Sequence, residues 1–429
     1  MSEAAVNGTP AELFSEQFAA DPYPTYAWLR AHGPVSRVRT PMGFETFMIT
    51  RYDDARAALA DPRLSKDMRL AGPAYLEIFG EASAALDENM LNLDPPDHTR
   101  LRRLVSRAFT PRRIEALRPR VETITEELLD RIAPAGEAEL MSDFAFPLPV
   151  TVICDLLGVP LDDREQFTTW ARSMGTAGFD DSGNAEHAER ALHTYLTGLI
   201  SAKRAHPEDD LLSALIAARD DDARLTEVEL VSTTFLLLFA GHETTANFLG
   251  NALLALLTHP DAYEKVTADP LLVPTAVEEL LRFDGSVENA TFRFATEDVE
   301  YAGITIPKGG IVTIALNAAN RDGERFASPD SVDLTRKDNP HLALGHGIHY
   351  CLGAPLARME AQIGIGMLLH RLPNLCLAVP AGKLSWLPAV VPFRGLHELP
   401  VWFTPEVTHS RRGLWRQKFS ATLAGPASK

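Results

Sequence analysis

The stretch 225–259 constrains this chain more than any other. Its apolar residues recur at helical spacing, and Thr226 with Glu229 three residues on forms the capping-box signature of a helix start. At 1.5 Å rise per residue such a helix runs about 50 Å. Gly241 stands inside it, where glycine costs about 1 kcal/mol relative to alanine. That cost needs a reason, either a ligand pressed against the backbone or a plain packing contact. Glu243 and Thr244 follow, an acid and an alcohol in an otherwise apolar helix, which is costly unless the groups meet water or move protons. Taken alone, the stretch fits a packing glycine beside an exposed polar turn equally well.

Elsewhere the apolar period predicts helices over 21–31, 119–133, 144–157, 164–174, 185–206 and 274–283, with β-like runs at 35–50, 299–306 and 311–316. The class is mainly α with a small β portion. With 429 residues and 45% hydrophobic content, the chain can bury a large core as one domain or as two ordinary ones. No repeat or Gly/Ser linker divides it, which predicts a single domain over 21–405. Residues 1–20 read as an N-terminal extension. Residues 406–429, with Arg411, Arg412, Arg416 and Lys418, read as a basic tail expected to be disordered.

The net charge of −17, from 58 acidic and 41 basic residues, argues against nucleic acid as a partner. The three cysteines, Cys154, Cys351 and Cys376, lie far apart with no CxxC pair, so neither a disulfide framework nor a zinc site is expected, and a reducing cytoplasm fits. Residues 1–18 are acidic and polar, and the strongly apolar stretch 235–240 is far below the ~18 residues needed to cross a bilayer, so no membrane association is expected.

The strongest chemical signal lies between His341 and Arg358, a Gly-punctuated loop that delivers Cys351 to the start of a helix. There a thiolate receives the positive end of the helix dipole and free backbone N–H groups, which lower its pKa. Such a cysteine is a ligand or a nucleophile. Cys154 and Cys376 read instead as small buried hydrophobes. Glu279 and Arg282 are spaced i to i+3 and share one helix face, by themselves an ordinary surface pair. His98 and Arg102, at i and i+4, suit an anion or simply form a solvated basic helix start.

The loop resembles the haem-binding loop of the cytochrome P450 family, Phe-Gly-x-Gly-x-His-x-Cys-x-Gly, matching at Gly345, Gly347, His349, Cys351 and Gly353. It departs at Leu344, where the family usually has phenylalanine. Residues 240–245 resemble the family's oxygen-activation motif, and Glu279 with Arg282 its Glu-x-x-Arg helix. The matches cover about 21–405 in the family's order. The resemblance implies a helix-rich triangular prism with haem b (iron protoporphyrin IX) between the long helix and the helix after the cysteine. Cys351 would ligate the iron, and dioxygen (O2) would be co-substrate. Glu243 and Thr244 would deliver protons to bound oxygen. His98, Arg102, Arg293 and His349 would hold the haem propionates. Glu279, Arg282 and Arg336 would form a structural charge triad, although Val332 replaces the usual aromatic nearby.

By family position, Met90, Leu237, Ala240, Val287, Asn289, Ala290 and Phe393 would line an apolar substrate pocket. Residues 175–183 fit a lid hinge or an ordinary solvated loop. No flavin domain or iron–sulfur cysteine cluster follows the haem loop, so electrons would come from a separate ferredoxin and its reductase. Arg100, Arg102, Arg103, Arg107, Arg112 and Arg113 offer a basic dock on an acidic protein. Phrases such as Phe239 to Thr245 look most like actinobacterial members that tailor secondary metabolites by hydroxylation, epoxidation or C–C or C–N coupling. The alternative is a haem protein that binds a ligand or carrier without turnover; presence of the acid and alcohol pair weighs against it.

Overall fold

The turn residues Pro41 and Gly43 reverse the chain between two short β-runs, with Gly43 at φ 96°, a left-handed backbone that glycine takes without steric cost. The computed structural model describes residues 13–72, 75–77, 88–164, 166, 169–170, 184–218, 224–389 and 393–406. The lid reading at 175–183, most of the helix read at 164–174, and all but the first residue of the tail lie outside them. Ten strands occur among the described residues: β1 (Val35–Arg39), β2 (Glu45–Ile49), β3 (Leu64–Ser65), β4 (Glu137–Glu139), β5 (Arg293–Ala295), β6 (Val299–Tyr301), β7 (Ile304–Ile306), β8 (Ile311–Ile314), β9 (Cys376–Leu377) and β10 (Pro400–Trp402).

The chain divides into two compact units, each assembled from separated segments. The first comprises Met1–Leu64, Arg118–Leu148 and Thr244–Lys429, and the second Ser65–Leu117 and Pro149–Glu243. In the first, a sheet of order β1-β2-β8-β5-β3 joins β1 and β2 antiparallel, with Val35 opposite Ile49. β2 and β8 run parallel with Phe47 opposite Val312, and Arg293 on β5 stands opposite the same Val312 from the other side. Ile49, Val312, Ile314, Leu316 and Phe326 pack into its core. A second sheet runs β4-β10-β9. The helix Ala354–Arg371 is buried on nearly all sides, as an interior helix should be. Its Gly364 lets Leu148 approach: a Cβ there would lie 3.0 Å from Leu148 Cδ2.

In the second unit, the helix Asp97–Ala108 buries Leu101, Leu104, Val105 and Ala108, the i, i+3, i+4, i+7 stripe of an amphipathic helix. Burying each leucine contributes about 1.5–3 kcal/mol. The helix packs on Leu211–Ala217, which packs in turn on Asn184–Ala205. The long helix spans Glu227–Thr258. Its start carries the expected capping box: Glu229 N–H donates to Thr226 Oγ1 at 3.2 Å, and Thr226 N–H to Glu229 Oε2 at 2.8 Å. Pro260 follows its end. The division between the units falls inside this helix, between Glu243 and Thr244.

Several expectations need correction. Residues 299–306 form a hairpin rather than one run, because Ala302 and Gly303 adopt φ 50° and 76° and reverse the chain. The run 311–316 ends as strand at Ile314, and Leu316–Asn320 is helical. The helix read at 144–157 is split: Met141–Ala145 is a π-turn, and a new α-helix opens at Pro147, whose missing N–H suits a first turn. Cys154 is fully buried, and burial pushes its thiol up to about 12. Cys376 is exposed, not buried, because it lies on β9 at the sheet edge. Among the described residues, no helix is long and apolar enough to cross a membrane.

Candidate functional site

Two glycines set the course of the loop before Cys351. Gly345 and Gly347 take φ 76° and 73°, and a Cβ on Gly347 would lie 2.9 Å from the Leu59 carbonyl oxygen, so any other residue there is both strained and crowded. The loop closes on itself through Cys351 N–H donating to Leu344 O at 2.9 Å and Tyr350 N–H to Gly347 O at 3.1 Å. The backbone of Leu344 makes that contact whatever its side chain, so the absent phenylalanine changes packing and leaves the presentation of the cysteine intact. His349 is half-buried in the same turn.

Cys351 is half-buried, three residues ahead of the helix Ala354–Arg371. A Cβ on Gly353, that helix's N-cap, would lie 3.8 Å from the sulfur, which therefore sits over the helix end where unpaired N–H groups favour an anion. Among the described residues no group of three or more His, Cys, Asp or Glu side chains could hold a metal. Cys351 offers a single thiolate donor, which fits a porphyrin-bound iron with one thiolate ligand.

Glu279 and Arg282, expected as a surface pair from spacing alone, are both fully buried. Arg282 donates Nε and Nη2 to the two Glu279 oxygens at 2.9 and 2.8 Å, and Arg336 Nε joins at 2.9 Å. Beyond the helix Val273–Asp284 that carries Glu279, the half-buried Val287, Asn289 and Ala290 run in extended chain. Val287 faces Phe393 in an antiparallel bridge, and Asn289 faces Ala315. Arg293 is buried at the start of β5, with Nη1 donating to Thr291 O at 3.2 Å.

The second unit holds the other candidates. His98 is 3% exposed, on the apolar stripe of its helix, and Arg102 one turn on is half-buried. Met90 is buried and Leu237 half-buried, while Ala240 is exposed midway along the long helix. At Gly241, Ile153 Cδ1 stands 3.1 Å from where a Cβ would be, which accounts for the glycine by packing and needs no ligand pressed on the backbone. Glu243 Oε2 lies 3.6 Å from Nε2 of the fully buried His242. Of the arginine cluster, Arg100 is paired with Glu229 and Arg113 with Asp209, whereas Arg103, Arg107 and Arg112 are exposed.

Candidate residues thus fall into two sets. The first unit holds Thr244, Val287, Asn289, Ala290, Arg293, His349, Cys351 and Phe393, and the second Met90, His98, Arg102, Leu237, Ala240 and Glu243. Sequence reasoning missed Glu278, which accepts from Arg358 and His341, and the buried Asp284, Glu288, Glu360 and Arg394. The signal for Glu288 and Arg394 was available, since each directly follows a candidate pocket residue. For Glu360 there was none.

The family model for cytochrome P450 matches residues 181–373. The chain is 50% identical to the cytochrome P450 monooxygenase PikC of Streptomyces venezuelae over 389 residues, 90% of this chain and 92% of that protein. It is 43% identical to the mycinamicin IV hydroxylase/epoxidase of Micromonospora griseorubida over 88% of this chain and 94% of the relative. Among solved structures, the tirandamycin C-bound P450 monooxygenase TamI superposes with a TM-score of 0.84 at 46% identity, covering 90% of this chain and 98% of that one. With relatives this similar along nearly its whole length, the chain belongs to the cytochrome P450 family, monooxygenases that hold a haem through a cysteine thiolate and take dioxygen as co-substrate.

Proposed function

We propose that this enzyme oxidises a medium-sized apolar natural-product intermediate of secondary metabolism, with Cys351 as the thiolate ligand of the haem iron. The observation that carries the assignment is the placement of one half-buried cysteine over the N-cap of an interior helix, at the end of a loop shaped by Gly345 and Gly347. The helix end stabilises the thiolate and keeps the sulfur aimed in one direction. His98, Arg102, Arg293 and His349 would hold the propionates, and four cationic or hydrogen-bonding groups suit a dianion. When bound, thiolate-ligated haem supplies reductive activation of oxygen and insertion chemistry.

Glu243 and Thr244 carry the proton work in this reading. The Thr244 hydroxyl would hold and pass on a proton and would recover one from the Glu243 carboxyl, which reaches solvent through its partial exposure. Val287, Asn289, Ala290, Phe393, Met90, Leu237 and Ala240 orient the substrate and exclude water. A separate ferredoxin with its reductase supplies two electrons, and the exposed Arg103, Arg107 and Arg112 fit an acidic partner. Relatives acting on mycinamicin and binding tirandamycin support the natural-product class.

The test is the carbon monoxide difference spectrum of the dithionite-reduced protein. A Soret band strongly red-shifted from that of His-ligated haem is expected in the wild type and lost in Cys351→Ala. A His-type band in the wild type would overturn the assignment. Thr244→Ala is expected to keep the band while consuming reductant without matching product, and unchanged coupling would remove the proton-relay role.

A further inference from the structure

We propose that Tyr26, Asp284, Glu288 and Arg394 are positioning residues for substrate selectivity: a buried network that fixes the register of the two segments bearing Val287, Asn289 and Phe393. This assignment rests on the pocket reading proposed above. It begins from parity. In extended chain, successive side chains point to opposite faces. Val287 and Phe393 are bridge partners, and Glu288 and Arg394 are the next residue on each side, so their side chains leave by the face opposite to that of Val287 and Phe393.

On that face both are nearly sealed, with Glu288 2% and Arg394 5% exposed. Arg394 Nε donates to Asp284 Oδ1 at 2.6 Å, and its two terminal nitrogens donate to the carbonyls of Ala19 and Ala20. Its guanidinium carbon lies 3.8 Å from the Trp386 ring centroid. The Tyr26 hydroxyl donates to Glu288 Oε1 at 2.8 Å, and the Tyr23 hydroxyl donates to Asp284. The backbone is tied at the same place: Arg394 N–H donates to Ser286 O at 2.7 Å, and Asn251 Nδ2 donates to Arg394 O at 3.0 Å.

These contacts hold in one register only. A slip of one residue would turn the guanidinium onto the face of Phe393 and leave Asp284 buried without its cation, the arrangement that buried charge tolerates least. Gly395 reinforces the lock, because a Cβ there would collide with Asn247. What the register presents is specific: Asn289 Oδ1 is buried without a hydrogen-bond partner among the described residues, an acceptor available to a hydroxyl or N–H of a bound molecule. The network thus sets where an acceptor and two apolar side chains stand, without touching substrate itself.

The experiment titrates the haem-loaded enzyme with imidazole, which reports on the iron alone, and with clotrimazole, which also fills the pocket, following the Soret shift. Tyr26→Phe removes one hydroxyl and is expected to weaken clotrimazole about fivefold, the size of one net hydrogen bond, with imidazole within about twofold of wild type. Glu288→Gln keeps the acceptor for Tyr26 and is expected to bind clotrimazole nearly as the wild type does, while Glu288→Ala matches or exceeds the loss in Tyr26→Phe. Should Glu288→Ala fail to fold, Tyr26→Phe and Glu288→Gln still decide. Unchanged clotrimazole affinity in Tyr26→Phe, or equal loss for both azoles, would overturn the positioning role. A wild-type protein that shows no Soret shift with imidazole would instead overturn the haem reading beneath it.

Discussion

Glu279 and Glu360 are buried carboxyl groups of the same unit with opposite surroundings. Glu279 accepts from Arg282, Arg336, the Asp333 N–H and Asn339, and Arg282 spends its remaining N–H groups on the carbonyls of Asn320, Pro329 and Ser331. All five donors of that guanidinium are therefore placed. Glu360 sits on the helix after Cys351, is 1% exposed, and its Oε2 has no hydrogen-bond partner among the described residues. Burial alone pushes its carboxyl up to about 8, so it is mostly neutral at pH 7. The contrast shows two ways of keeping an acid inside a protein. One surrounds the charge with donors, and the other removes the charge by holding the proton.

The comparison breaks most visibly at Glu279. Glu279→Ala leaves the buried Arg282 and the half-buried Arg336 without their anion and is expected to cost about 3–5 kcal/mol, read as a lower urea midpoint and a poor yield of haem-loaded protein. A loss below about 1 kcal/mol would mean the arginines are satisfied by carbonyls alone. The next effect is at Glu360 and depends on pH. Its folded pKa lies above the unfolded value of 4.5, so the stability it confers is complete below pH 4.5 and is lost as pH rises through about 8. The wild type should lose about 2–4 kcal/mol between pH 5 and pH 9 on this account. Glu360→Met, close in volume and without a charge, should flatten that slope and be the more stable protein at pH 9. Parallel pH profiles for the two proteins would show that Glu360 is ionised at little cost.

The difference between these two sites also marks what could be read from the sequence. Local chemistry was legible: Thr226 and Glu229 announce a helix start that the structure builds with both hydrogen bonds. The spacing of Glu279 and Arg282 put them on one face, yet it could not say that the face is sealed, because the groups sealing it, such as Asn320 and Ser331, come from 38 and 49 residues away along the chain. The sequence leaves Gly241 open to a ligand or to packing, and only the approach of Ile153 decides it. The exposure of Cys376 is not legible in the sequence, because an edge strand and a core strand carry similar residues. Glu360 is the one glutamate of the helix Ala354–Arg371, and nothing in the sequence around it marks it as buried. Local periodicity carries element type and shared faces, whereas burial and pairing are decided by contacts distant in sequence.

Glu278, one residue before Glu279, falls between the two extremes and gives the smallest effect. Its side chain is 31% exposed; Arg358 donates to it through Nε at 2.7 Å and Nη2 at 2.8 Å, and His341 Nε2 lies 3.1 Å away. Burial works to raise its pKa, but the hydrogen bonds from His341 and Arg358 outweigh it and hold the carboxyl down to about 2. The sign is thus opposite to that of Glu360: the contribution is present above pH 4.5 and is lost as pH falls through about 2. Because solvent screens a partly exposed pair, Glu278→Gln should cost only about 1 kcal/mol at pH 7. Thermal melts at pH 6 and pH 3 check the sign. A deficit that shrinks on acidification assigns the contribution to charge, and marks Glu278 as an acid held ionised by its donors. A deficit of equal size at both pH values would assign it to hydrogen-bond geometry, through the Arg358 that also donates Nη1 to the Tyr350 hydroxyl at 3.1 Å beside Cys351.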